Sequence, residues 1–324
     1  MQRTCNFLLL LSILSPGVMS AQTTQFIQPA AFSQVDALAP VIAETILSPG
    51  AAPVNPAWMA RTSKSEALAS YHPLGEDFFD YDLQLAVVQP KLKACAGFGL
   101  ISGNGHVRSA PDYAWLNKTI KDRALYFTLA AKLNALLSLG GTVRYVASEW
   151  SGEKVHAQAF DLGMALQTGL LAPEGNRDDG LCLDMSLLNL GGDIAYSAGE
   201  PVPVIAGGTT MVRDNIYRSL SQQLRAGFVL TPHAGTNSKI KLAIHAVHPN
   251  DSPEEIQAGL GVNHKLNRGG ALYLQTGAKA LLDDETSYKG IIGAGVLKPV
   301  TSSHTLRLEY ALSNVHTVRM GLQF

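Results

Sequence analysis

From about residue 65 onward the chain repeats one pattern: roughly ten residues of alternating apolar and polar positions, then a turn or loop. Successive side chains of a strand point to opposite faces, so such alternation gives each segment one apolar and one polar face. Gln222–Leu230 puts Leu224, Ala226, Phe228 and Leu230 on one face and Arg225 and Gly227 on the other. Lys239–Ala246 sets Ile240, Leu242 and Ile244 against Lys239, Lys241 and His245. Thr305–Leu312 sets Leu306, Leu308, Tyr310 and Leu312 against Arg307 and Glu309. His316–Phe324 sets Val318, Met320, Leu322 and Phe324 against Thr317, Arg319, Gly321 and Gln323. Weaker segments are Asp82–Val88, Leu92–Ile101, Ala124–Leu133, Leu137–Ala147, Val155–Leu166, Leu181–Leu190, Ile256–His264, Ala271–Ala278 and Tyr288–Leu297. With Glu66–Tyr71 the pattern predicts about fourteen strands, an even number as in bacterial single-chain barrels.

Apolar faces of this kind need either another sheet or lipid. A soluble, secreted sandwich or small propeller would pair them with each other. It would leave the half-apolar strand His316–Phe324 as an open edge, which natural sheets avoid. A transmembrane antiparallel β-barrel uses that strand: it closes against the first, with one face to lipid and one to the lumen. Val318, Met320, Leu322 and Phe324 are then expected to be read by the barrel-assembly machinery, so that removing Phe324 lowers outer-membrane yield. Loop lengths offer a second test. With both termini in the periplasm, Gln89-Pro90-Lys91, Asn134–Leu136, Asn267–Gly270 and Pro299–Ser303 are short inward turns, and Ser102–Arg123 and Gly191–Ser219 are long outward loops. Thr168–Gly180 is long for an inward turn, and Ser313–Val315 is short for an outward loop.

The N-terminal part divides in two ahead of a barrel over residues 65–324. Residues 1–20 read as a secretory signal peptide, with Arg3 for charge, Phe7 to Leu14 as the apolar run, and Val18 and Ser20 before a mature start at Ala21. Pro16-Gly17 interrupts a run already too short for a spanning helix. Residues 21–64 carry Pro29, Pro40, Pro49, Pro53 and Pro56 and little alternation, with a short helix predicted over Ala37–Leu47. Such a segment is too small to fold alone. Val35, Leu38, Val41, Ile42, Ile46 and Leu47 favour docking inside the barrel, as a plug, over a free leader.

Composition fits this picture. Of the 324 residues 46% are hydrophobic and only 16% charged, yet mean hydropathy is just +0.09, as alternation between lipid and lumen requires. A net charge of −1 gives no electrostatic footprint for nucleic acid. Cys95 and Cys182, the cysteines beyond the signal peptide, fall inside predicted strands and are expected to stay unpaired.

Candidate chemistry is sparse. His245 and His248, three apart on a strand, point to opposite faces, so no metal site is expected. Asp178-Asp179 and Asp283-Asp284-Glu285 read as solvated loop tips rather than calcium sites. Ser219, Ser221 and Ser151-Gly152 lack a hydrolase motif. No enzyme activity and no cofactor are therefore expected. Arg225, Lys241, Arg307, Glu309 and Arg319 fall on lumen faces, where they either pin a plug and filter solutes or satisfy one another in a wet interior. Pro201–Ala206 and Met211-Val212 make an apolar stretch of an outer loop, suited to a partner, to a greasy substrate or to packing on the rim.

Several phrases carry a resemblance. Pro49-Gly50-Ala51-Ala52-Pro53-Val54-Asn55-Pro56-Ala57-Trp58-Met59-Ala60, followed by Ser70-Tyr71-His72-Pro73, resembles the N-terminal segment of FadL-like outer-membrane proteins. Leu139-Gly140-Gly141-Thr142-Val143-Arg144-Tyr145, Phe160-Asp161-Leu162-Gly163, Leu187-Leu188-Asn189-Leu190-Gly191 and Leu308-Glu309-Tyr310-Ala311 follow in the same serial order. Within that group the chain is more similar to the PorV/PorQ branch. The resemblance implies a fourteen-stranded barrel in the bacterial outer membrane, surrounded by its lipid. It implies an N-terminal plug in the lumen that includes Asn55, Pro56 and Ala57. It implies either the handling of hydrophobic small molecules or lipids, or a PorV/PorQ-type accessory role that binds exported proteins or the secretion machinery. An open general porin would instead lack the plug.

Overall fold

The computed structural model describes residues 49–73, 78–89, 93–107, 118–150, 153–172, 176, 179–191, 193–196, 216–220, 222–250, 253–266, 269–282, 287–312 and 316–324. The residues read as a signal peptide, the helix predicted over Ala37–Leu47, Ser151-Gly152, Asp178, Pro201–Ala206, Met211-Val212, Ser221 and Asp283–Glu285 lie outside the described residues.

Fourteen antiparallel strands form a closed barrel. In chain order the first seven are β1 (Glu66–Pro73), β2 (Phe78–Gln89), β3 (Ala94–Val107), β4 (Lys118–Lys132), β5 (Leu137–Trp150), β6 (Glu153–Gln167) and β7 (Cys182–Gly191). A separate two-stranded ribbon, β8 (Asp193–Tyr196) with β9 (Ile216–Ser219), interrupts the series. The barrel resumes with β10 (Gln223–Ala234), β11 (Ser238–Pro249), β12 (Glu254–Lys265), β13 (Ala271–Leu282), β14 (Ser287–Pro299), β15 (Thr305–Leu312) and β16 (His316–Gln323). Each predicted segment overlaps one barrel strand. Among the described residues no helix is long and apolar enough to cross a membrane.

Closure runs between the first and last strands. Glu66 pairs with Gln323 and Tyr71 with Val318, and the Phe324 amide donates to the Ser65 carbonyl at 3.0 Å. Because the ladder closes on itself, no barrel strand is left as an open edge. Burial alternates as the sequence pattern demands. Leu242, Ile244 and Ala246 of β11 point out, while Lys241, Ala243 and His245 point in. On β16, Val318, Met320 and Leu322 point out, and Thr317, Arg319 and Gly321 point in. The outward leucines, phenylalanines and methionines form the lipid-facing belt.

Strands β3 and β4 correct the predicted boundaries. They pair from Ala94↔Ala131 to Val107↔Lys118, so the predicted loop Ser102–Arg123 is largely strand. Its Gly- and Lys-containing sequence weakened the alternation, but the backbone ladder continues wherever two antiparallel segments stay in register. Likewise, the predicted loop Gly191–Ser219 contains the β8–β9 ribbon. The long turn after β6 is well fixed: Thr168 Oγ1 donates to the Leu181 carbonyl at 2.8 Å, and Leu181 N to the Leu170 carbonyl at 2.8 Å. Asp179 in this turn is a second correction. It is buried, accepts from Asn176 Nδ2 at 2.8 Å and pairs with Lys239, so it is not a solvated loop tip. Cys95 and Cys182 are both buried and form no disulfide with each other.

Candidate functional site

The lumen is occupied from Pro49 onward by a segment that turns tightly and then forms a short 3-10 helix, Pro56–Arg61. Asn55 starts that helix in extended conformation, and its Oδ1 accepts the Ala57 amide at 3.0 Å. Proline at the next position already has the required φ and lacks an amide that would go unpaired. The same Asn55 side chain faces the wall: Nδ2 lies 3.2 Å from the Met164 carbonyl, 3.3 Å from Asp184 Oδ1 and 3.3 Å from the Met185 carbonyl. Met164 and Met185 are register partners on β6 and β7, so one amide bridges two strands. Ser186 Oγ adds a bond to the Val54 carbonyl at 2.8 Å. Asp184 Oδ2 in turn shares a 2.8 Å hydrogen bond with His245 Nε2 on β11, both side chains being buried.

Two glycines make room for this segment. Gly140 of β5 and Gly163 of β6 are direct register partners. A Cβ on Gly140 would lie 2.6 Å from Ala57 N, and one on Gly163 would lie 2.8 Å from Pro56 Cδ. Both approaches are too close for any side chain. On either side, apolar residues complete the seat. Ala51, Ala57 and Trp58 pack with Ala165, Cys182, Val229 and Ala243. Ala52, Met59 and Ala60 pack with Ala86, Cys95 and Ala130. Arg61 stacks over the Trp58 ring at 5.3 Å and donates from Nη1 to Cys182 Sγ at 3.4 Å.

Beyond the segment, β5 presents the lumen in layers toward the end opposite the termini. Thr142 shares a 2.8 Å hydrogen bond with Thr128 of β4. Arg144 follows, with Nη2 2.7 Å from Asp161 Oδ2 and Nη1 2.9 Å from Asn189 Oδ1. Asp161 sits at a register shift between β6 and β7. Asn189 takes a left-handed backbone, φ 57°, and its amide donates to Asp161 Oδ1 at 2.7 Å. The arginine therefore ties the extra residue of the bulge to the wall. Above it, Val146, Ala157 and Ala159 meet Leu220, with Ala124 and Val155 beside them, and Ile101 packs with Tyr126. Ser148 then donates to Asp122 of β4. The result is an apolar layer over a hydrogen-bonded polar floor.

The opposite wall is charged. Arg307 of β15 lies 3.1 Å (Nε) from Glu66 Oε1 of β1 and 3.7 Å from Glu309 Oε1. Arg319 of β16 pairs with Glu309 Oε2 at 3.2 Å and donates to Ser70 Oγ at 3.2 Å. A second group runs from Arg225, whose Nη2 donates to Gln257 Oε1 at 2.7 Å, through Gln257 Nε2 to Glu255 at 3.0 Å. Glu255 also pairs with Lys279. Lys241 is buried on β11. The five charges singled out in the sequence thus do not form one ladder. Arg307, Glu309 and Arg319 come together at the closing seam, whereas Arg225 joins a different cluster.

Sequence reasoning did not single out Glu66, Arg144, Asp161, Asp184, Asn189 or His245 as site residues. The signal for Arg144 was present: an arginine on the polar side of an otherwise small-residue strand. The partners Asn189 and Asp184 come from distant strands, which alternation alone does not connect. Among the described residues no group of three or more His, Cys, Asp or Glu side chains is placed to hold a metal ion.

No protein-family model matches the chain, and no curated protein matches it. Solved structures do. The toluene transporter TodX of Pseudomonas putida superposes with a TM-score of 0.52 at 11% identity, over 85% of this chain and 92% of that one. CymD, a monoaromatic hydrocarbon channel, gives 0.51 at 12%, over 87% and 91%. A FadL homologue of Pseudomonas aeruginosa gives 0.53 at 12%, over 95% and 97%. At these identities the likeness is one of fold, shared over most of each chain.

Proposed function

We propose that this protein is an outer-membrane channel that takes up hydrophobic small molecules, with residues 49–61 as its plug. The observation that carries this reading is the occupied lumen. A buried segment is seated in a notch between β5 and β6, and on the same wall an apolar layer lies toward the opposite rim. An open porin for hydrophilic solutes has use for neither. The named fold neighbours include a toluene transporter and a monoaromatic hydrocarbon channel, which supports an apolar cargo. The polar floor at Arg144, Asp161 and Asn189 has its hydrogen bonds directed at itself, so an apolar solute above it would leave no protein charge unpaired.

Native mass spectrometry of the protein extracted from outer membranes in mild detergent tests the cargo. The expected result is a monomer carrying a fatty acid, lipid or hydrocarbon. Deleting residues 22–60 tests the plug: the barrel should still assemble and small-solute conductance should rise, and unchanged conductance would falsify it. A PorV/PorQ-type accessory barrel is the second reading. It draws on the motif resemblance and on the connection between β7 and β10, which carries the β8–β9 ribbon. A stable protein partner on an empty lumen, lost when Pro201–Met211 is replaced by a Gly-Ser loop, would favour it.

A further inference from the structure

At the end of the barrel opposite the termini, the outward faces of β4, β5 and β6 change character within one row. Phe127, Val143 and Phe160 are neighbours across the three strands, followed by Leu125, Tyr145 and Gln158. The next rows are Arg123, Ala147 and His156, then Lys121, Glu149 and Lys154. Lys121, Arg123, Lys154 and His156 are all exposed on the face that, lower down, meets lipid. Among the described residues, no ion pair engages Lys121, Arg123 or Lys154, and the lone carboxylate of the patch, Glu149, stands against three cations. Tyr145 stacks on His156, with ring centroids 5.4 Å apart and planes inclined by 20°. Elsewhere on this rim, His248 and Glu254 face outward as a pair at 3.1 Å.

We infer that this patch binds the phosphate groups of an acylated lipid in the outer leaflet. Its position continues the lipid-facing belt without a break, so acyl chains would run along Leu125, Phe127, Val143 and Phe160 while the headgroup meets the cations. Strands lie about 4.8 Å apart, which places Lys121 and Lys154 about 10 Å from each other across Glu149 of β5, with Arg123 in the row below on the same strand as Lys121. That spacing suits a headgroup bearing more than one phosphate. Arginine and lysine side chains at a membrane surface extend toward anionic headgroups while their stems lie on apolar surface. Tyr145 and His156 form an amphipathic aromatic step at the same level, as in the girdles of membrane barrels. The inference rests on the outer-membrane placement above, not on the transported cargo.

The test is retention of bisphosphorylated hexa-acyl lipid A by full-length protein in detergent, read by native mass spectrometry across a lipid titration. Wild-type protein should retain the lipid and should not retain its dephosphorylated form. A K121Q/R123Q/K154Q variant should bind about 100-fold more weakly, since each cation contributes roughly fivefold. Lys298, exposed at the other end of the barrel, supplies the control: K298Q should bind as wild type. Heat-modifiable mobility on gels confirms folding. If the triple variant does not fold, K121Q and K154Q alone should each show the fivefold loss. Equal retention by wild type and variant overturns the inference, as does equal retention of the dephosphorylated lipid. Displacement by millimolar inorganic phosphate would reassign the patch to free anions. Because the readout is lipid retention, a barrel that carries no hydrophobic solute still answers it.

Discussion

The wall from β3 to β7 and the wall from β12 through β16 to β1 are written in the same alternation, yet their inner faces are opposites. The first offers Gly97, Gly140, Gly163, Ala130 and Ala165 to the lumen and receives a foreign segment. The second offers Tyr273, Gln275, Arg307, Glu309 and Arg319, and its long side chains fill their own space. The difference lies in the volume at each inward position. Small residues leave a notch that only another piece of chain fills, whereas long charged residues close the wall against such a piece and tie strands together.

Breaking the charged wall should have the largest energetic effect and leave the lumen's occupancy alone. Arg307→Ala would remove the cation 3.1 Å from buried Glu66 at the closing seam and leave Glu309 to Arg319. Removing one partner of a buried ionic group typically costs about 3–5 kcal/mol. Equilibrium urea unfolding of the barrel should register that loss, while conductance stays at the wild-type level. A leaky variant of unchanged stability would reverse the assignment of the two walls.

Filling the notch should do the converse. Gly163→Val forces a side chain into the space of Asn55 and Pro56, a form of overpacking worth about 1–3 kcal/mol. The expected outcome is a normally assembled barrel whose small-solute conductance rises toward that of the residue 22–60 deletion. Asn55→Ala comes next. It removes a helix cap and the bridging bonds to β6 and β7, together about 2 kcal/mol. Protection of the segment from protease should fall accordingly, with little change in barrel unfolding. Ser186→Ala, which loses one bond to the Val54 carbonyl, should shift the same protease assay by only about 1 kcal/mol. If Ser186→Ala opened the lumen as fully as Gly163→Val, steric fit would not be what seats the segment.

Much of the fold was legible because a barrel strand reports its two environments residue by residue. Leu306, Leu308, Tyr310 and Leu312 announced a lipid face, and Arg307 and Glu309 a wet one. The ends of β3 and β4 were not legible. Beyond the lipid belt neither face is apolar, and Ser102–Val107 joins β4 through the backbone ladder. The site was legible in part. Asn55-Pro56-Ala57 reads as a turn from local chemistry, and its place in the lumen depends on two glycines that alternation treats as blanks. The link from Asn55 through Asp184 to His245 joins residues 129 and 61 positions apart, and no local pattern encodes it.

The two cysteines acquire a use from where they lie. Cys95 sits behind Met59 on one flank of the lumenal segment, and Cys182 behind Trp58 and Arg61 on the other. A water-soluble alkylating reagent reaches either sulfur only while the segment is lifted from that flank. Each thiol is therefore a native clock, and the ratio of the two labelling rates tells which flank of the segment lifts first.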